Sequence, residues 1–177
     1  MKLNFVEVTW DNLEEACKIQ NEIFPTENGR ENYIEGIKKD PYRKEMINYI
    51  VYDNNIGVGV VGIYSYHEYP EDAWLAWFGV LEKYRNKGYG SKMFDFFENR
   101  AREKGYKAIR LYTGKSFTSA IKLYTKKGMI KECYSNELEC EEINNETLVF
   151  SKSLDSQEIQ KWDNKFLELT AQVEKEK

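Results

Sequence analysis

The stretch Lys83-Tyr84-Arg85-Asn86-Lys87-Gly88-Tyr89-Gly90-Ser91-Lys92 decides the fold. It stands between a near-continuous apolar run, 73–81, and a segment in which Met93, Phe96, Phe97 and Ala101 recur at helical spacing. It carries four positive charges and no negative one, in a chain of formal net charge −4. Two glycines let the backbone curl tightly and approach a ligand without Cβ interference. With a strand before and a helix after, the exposed N–H groups of the first helical turn point into that curl, where the helix dipole favours anions. The segment reads as a phosphate-binding loop; the plain alternative is a glycine turn with a solvated basic face.

Upstream, residues 2–8 alternate as a strand, Thr9 stands where a helix N-cap belongs, and Leu13, Ala16, Cys17, Gln20, Ile23 and Phe24 step along one helix face. A second short helix is predicted over 31–39. Residues 47–52 and 56–66 form a hairpin around Asp53-Asn54-Asn55, and a polar bend at 67–72 leads into the apolar run, whose character places it centrally in a sheet. Downstream come a helix from Gly88 to Gly105, a strand over 107–112, a helix over 116–127, and strands near 130–134 and 147–151. Asp155 with Glu158 resembles a capping box, and Ile159, Trp162, Phe166, Leu169 and Val173 then step as a helical stripe. The fold class is α/β: one domain over 1–154 with a mixed, mainly antiparallel sheet flanked by helices, and an amphipathic helix over 155–177 packed on that domain or on a partner subunit as a homodimer.

Composition bounds the function. A length of 177 residues fits one domain, and the longest apolar run is far short of the ~18–20 residues of a membrane span. No apolar signal region follows Met1-Lys2, so the expected location is cytoplasmic. Cys17, Cys133 and Cys140 form no CxxC pair and His67 is the single histidine, so no metal site is expected. With 26 basic and 30 acidic residues, neither a nucleic-acid nor a membrane partner is expected. Two rival phosphate motifs fail on context. Gly57, Gly59 and Gly62 match GxGxxG but sit inside a strand pattern with no helix after it. Gly114-Lys115-Ser116 lacks the first glycine of a Walker A loop, which would fall at Ile109.

Arg85-Asn86-Lys87-Gly88-Tyr89-Gly90 resembles the R/Q-x-x-G-x-G/A coenzyme A motif of the GNAT N-acetyltransferase superfamily. Trp77-Phe78-Gly79-Val80 resembles that family's fourth strand, and the run from Ala120 through Leu123 and Tyr124 to Gly128 and Met129 resembles its A-x-x-L-Y-x-x-x-G-F helix. The resemblance implies acetyl-CoA as co-substrate, bound where two central strands splay apart. It implies backbone pairing of Phe78, Gly79 and Val80 with the pantetheine arm. Arg85 belongs to the motif, and Asn86, Lys87, Gly88, Tyr89, Gly90 and Ser91 would hold the pyrophosphate. It also implies that Tyr124 stands near the thioester sulfur. One departure is Phe117, where the family commonly has an asparagine.

Acetyl transfer to an amine sets its own demands. The amine attacks in its neutral form, although an alkyl ammonium has a pKa of ~10.4, so a proton must leave. The oxyanion needs a donor, which by analogy is the Val80 N–H, and the leaving thiolate benefits from a proton from Tyr124. For Tyr124 the alternative is a core aromatic on a helix face. The family's glutamate early in the fourth strand corresponds to Trp74; Asp72, two residues earlier on the same face, is the candidate base, with Glu71, Glu68 and His67 nearby and a water chain as the alternative. Acidic segments at 27–31, 67–72 and 137–142 are either solvated loops or an attraction for a cationic amine. The expected function is N-acetylation of a small, cationic primary amine in a ternary complex. The alternatives are a protein N-terminal or lysine acetyltransferase and a non-catalytic acyl-CoA module.

Overall fold

The computed structural model describes residues 2–133, 146–164 and 166–169. The elements run β1 (Leu3–Glu7), α1 (Leu13–Ile23), α2 (Arg30–Lys38), β2 (Arg43–Asp53), β3 (Ile56–Tyr66), β4 (Asp72–Val80), a 3-10 turn (Glu82–Tyr84), α3 (Tyr89–Glu103), β5 (Ala108–Gly114), α4 (Thr118–Lys126), β6 (Ile130–Lys131) and β7 (Thr147–Ser153). Among the described residues they build one sheet in the order β1-β2-β3-β4-β5-β7-β6, antiparallel at every junction except β4–β5. Gly57, Gly59 and Gly62 lie within β3, as the alternating context requires.

One sheet face is covered by α3 and α4. Met93, Phe94, Phe97 and Ala101 form the buried stripe of α3 and meet Val61, Ile63, Leu75 and Ile109 of the sheet. The helix stops where Gly105 takes φ +81° and Tyr106 N–H reaches back to Ala101 O, a left-handed C-terminal cap. The other face is shared. α1 and α2 cover Ile50 and Val60, while residues of the tail cover Met46, Tyr64, Tyr66, Trp74 and Val149. No helix among the described residues is long and apolar enough to cross a membrane.

Two expectations need correction. Thr9 is not the cap of α1. Asn12 occupies that position, and its side chain ties back to Thr9 N–H and Glu7 O. The helix expected from residue 155 does not form over 155–164 or 166–168, yet Trp162, Phe166, Leu167 and Leu169 are buried on this domain. The physical reason lies in the backbone partners. Trp162 N–H donates to Glu132 Oε2, Phe166 N–H to Asn164 Oδ1 and Leu169 N–H to the Tyr66 hydroxyl, while Gln160 O accepts from Arg110 and Phe166 O from Trp162 Nε1. Groups that a helix would pair with one another are satisfied by side chains instead. Asp155 accepts from Gln157 N–H rather than building a capping box. Val173, the last residue of the stripe, lies outside the described residues, as do Cys140 and the acidic segment 137–142.

Candidate active site

β4 and β5 pair only at Asp72↔Ala108, Ala73↔Ile109 and Trp74↔Arg110. Beyond that point β4 stays with β3, β5 stays with β7, and the two diverge. A bulge in β4 accompanies the divergence. Between Val60 and Gly62 the partner strand advances from Gly79 to Ala76, one residue too many, and Trp77 takes φ +41°. An inserted residue bends and twists the strand that carries it. Leu81 N–H donates to Val58 O. By antiparallel alternation the N–H and C=O of Val80, like those of Phe78, turn away from β3 into the gap.

The gap opens into a cavity of about 960 Å³. Phe78, Leu111, Ala120 and Tyr124 are among its lining residues, together with Phe24 just after α1, residues of α2 and Glu168 of the tail. Tyr124 is buried among Phe78, Phe94 and Phe150 with ring centroids 6.0–6.1 Å away, and its carbonyl accepts Met129 N–H, so the ring is fixed from both sides. Burial pushes its phenol above the ordinary range. No other described residue hydrogen-bonds its hydroxyl.

The glycine loop before α3 approaches the cavity wall at Gly90, where a Cβ would stand 3.9 Å from Phe78 Cζ and 3.5 Å from Leu123 Cδ2. Asn86 at φ +61° and Gly88 at φ +84° curl the loop into the first turn of α3. A Cβ on Gly88 would meet nothing within 4 Å, so open space lies beside the loop there. Ser91 lies in the first turn of α3. The side chains of the loop do other work than its backbone. Arg85 Nε donates to Val80 O, tying the loop to the gap-facing strand. Lys83 and Lys87 lie over the Tyr84 ring, and the Tyr89 hydroxyl is anchored on Asp53 Oδ2 at 2.6 Å. Gly79 is glycine because of α1, since a Cβ there would stand 2.5 Å from Ile23 Cγ2.

Asp72 is not brought to this cavity. It accepts from Arg110 Nε at 2.7 Å at the start of β4 and lines a separate cavity of about 430 Å³ with Glu68 and Glu71. Burial lifts its carboxyl above the usual range, while the Arg110 guanidinium acts the other way. Arg110 also binds Glu132, Ser151 and Gln160 O, so the cluster holds β5, β7 and the tail together. Trp74 is fully buried under Tyr64 and Trp162. Of the acidic segments, Glu27 and Glu31 line the larger cavity and the 67–72 bend does not. Phe117 stands at the larger cavity with more than half its surface exposed. Sequence reasoning missed Arg43, Tyr112 and Glu168, which line this cavity, and the buried Tyr66, which bonds Glu168; no local pattern marks them, because they come from three strands and the tail.

The sequence matches the model of the acetyltransferase (GNAT) family over residues 13–129. No curated protein matches the chain. Among solved structures it is similar to the ribosomal-protein-S18-alanine N-acetyltransferase from Escherichia coli, with a TM-score of 0.68, 12% identity, and 91% of this chain and 99% of that chain covered. A GNAT-family acetyltransferase from Staphylococcus aureus gives 0.67 at 18% identity over 86% of this chain and 99% of that one. The PaiA N-acetyltransferase from Thermoplasma acidophilum, solved with coenzyme A, gives 0.66 at 14% identity over 86% and 99%. Likeness at such low identity establishes a shared fold.

Proposed function

Since the chain belongs to the GNAT acetyltransferase family, we propose that it transfers the acetyl group of acetyl-CoA to a primary amine of a small cationic acceptor, by direct attack in a ternary complex. The observation that carries this reading is a cavity lined by Phe78 and Tyr124, with Phe78 also beside Gly90 of the glycine loop, whose lining sets five carboxylates against three cations. The loop and the helix N-terminus suit the coenzyme diphosphate, and the gap-facing backbone of Phe78 and Val80 suits the pantetheine arm.

In the reaction the neutral amine nitrogen forms a bond to the thioester carbonyl carbon. The Val80 N–H is the donor for the oxyanion. As the C–S bond breaks, the Tyr124 hydroxyl gives its proton to the thiolate and regains one, through water, from the nitrogen that has become an amide. The acceptor's first proton leaves to water, since Asp72 is committed to Arg110. The test is coenzyme-release turnover across polyamines, amino acids, aminoglycosides and peptides. Turnover of a cationic small amine is expected. Turnover of peptides alone would reassign the enzyme to proteins, and acetyl-CoA binding without any turnover would make it an acyl-CoA-binding module.

A further inference from the structure

Glu168 reaches the acceptor end of the cavity from the tail, and its surroundings are built. Its Oε1 accepts from the Tyr112 hydroxyl at 2.8 Å, and its Oε2 accepts from the Tyr66 hydroxyl at 3.0 Å. The Tyr66 hydroxyl also accepts Leu169 N–H at 3.2 Å, so its own proton goes to Glu168. Arg43 Nη2 lies 3.4 Å from Oε2, but this guanidinium is shared. Its Nη1 pairs with Asp40 and with Glu35 at 3.1 Å. Three carboxylates thus surround one buried cation, and Glu168 keeps 34% of its side chain exposed where it lines the cavity. A carboxylate offers about four acceptor positions, and the partners named here fill three. Tyr42, Tyr112 and Phe117, all exposed, line the same cavity, and aromatic rings suit a cation.

An attacking amine must be neutral, and a carboxylate held against it would favour its charged form. An acid at this place serves better on a second cationic group of the acceptor, leaving the first nitrogen free to lose its proton. We infer that Glu168 is a specificity-determining residue that binds a second ammonium of a diamine-type acceptor, positioned by Tyr66 and Tyr112. This rests on the transferase reading above.

The matched probes are 1,4-diaminobutane and butylamine, which share a four-carbon chain and differ in one ammonium. Wild-type kcat/KM is expected to favour the diamine by at least about 30-fold. Glu168→Gln should cut that preference at least tenfold through KM, with kcat within threefold and acetyl-CoA affinity unchanged. Glu168→Asp should restore part of it, which a purely structural role would not do. Calorimetry of 1,4-diaminobutane on the coenzyme-A-loaded protein should show at least tenfold weaker binding in Glu168→Gln. Tyr112→Phe removes one donor to Glu168 while leaving every tail residue in place, should lower the preference about threefold, and decides the matter if the Gln variant unfolds. Equal use of the two amines by the wild type, no binding of the diamine, or an unchanged preference in these variants overturns the inference while the transferase reading stands. Glu168-dependent diamine binding without turnover of any amine overturns the transferase reading and leaves the anchor in place.

Discussion

Gly88→Ala separates the loop's role in folding from its role in binding. Gly88 sits at φ +84°, where an L-residue meets its own backbone at a cost of roughly 1–2 kcal/mol. No protein atom lies within 4 Å of the added methyl group, so that strain is the whole expected loss of stability. The same methyl stands in open space beside the loop proposed to hold the diphosphate, where it would keep the backbone from approaching the ligand. Acetyl-CoA affinity should therefore fall at least tenfold, about 1.4 kcal/mol. Gly105 provides the matched control. It ends the same helix at φ +81°, and its Cβ would also meet nothing within 4 Å. Gly105→Ala should lose the same stability in urea unfolding and bind acetyl-CoA like the wild type in calorimetry. Unchanged affinity in Gly88→Ala, or an equal loss in both variants, would refute the phosphate loop.

Tyr124→Phe should lower kcat about 100-fold at constant acetyl-CoA affinity; because burial disfavours the phenolate and raises this pKa, wild-type kcat should show no loss from this group up to pH 10. Asp72→Asn should cost about 1–3 kcal/mol in denaturant unfolding by weakening a buried ion pair, and leave kcat within twofold. Trp162→Ala removes a fully buried indole packed at 4.8 Å on Trp74 and 4.4 Å on Tyr69, so about 3–5 kcal/mol should be lost, with KM for the diamine raised because Glu168 follows on the same segment.

What could be read from residues alone was local. The glycine and charge pattern at 83–92, the apolar strand before it and the stripe after it are short-range signals, and each sits where the spacing put it. The hairpin of β2 and β3 and the central place of β4 were legible, while the full strand order was not. Asp72 was misjudged because alternation tells which face a residue shares, and nothing in the sequence says that Arg110, 38 residues on, lies against it. The tail was misread for a related reason. Steps of three and four residues fit a helix, but they also fit an irregular segment whose backbone groups find Glu132, Tyr66 and Arg110. The bulge at Trp77 carries no glycine to announce its positive φ. Glu168 was invisible as a site residue, since one more glutamate in an acidic amphipathic stretch has no distinguishing pattern.

The tail joins two tasks that selection would treat differently. Trp162, Phe166 and Leu167 hold the domain together, and Glu168 stands among them at the cavity. A substitution that retunes recognition there must first survive its effect on folding, whereas the loop proposed for the coenzyme leads into α3, on the sheet face opposite the tail. Variation in acceptor preference should then accumulate at positions such as Tyr42 and Phe117, which are exposed and support little else. The carboxylate and its two phenols should change only together with the aromatic residues beneath them. Relatives that use a different amine would be expected to carry a replaced tail as a unit, inherited or lost in one step.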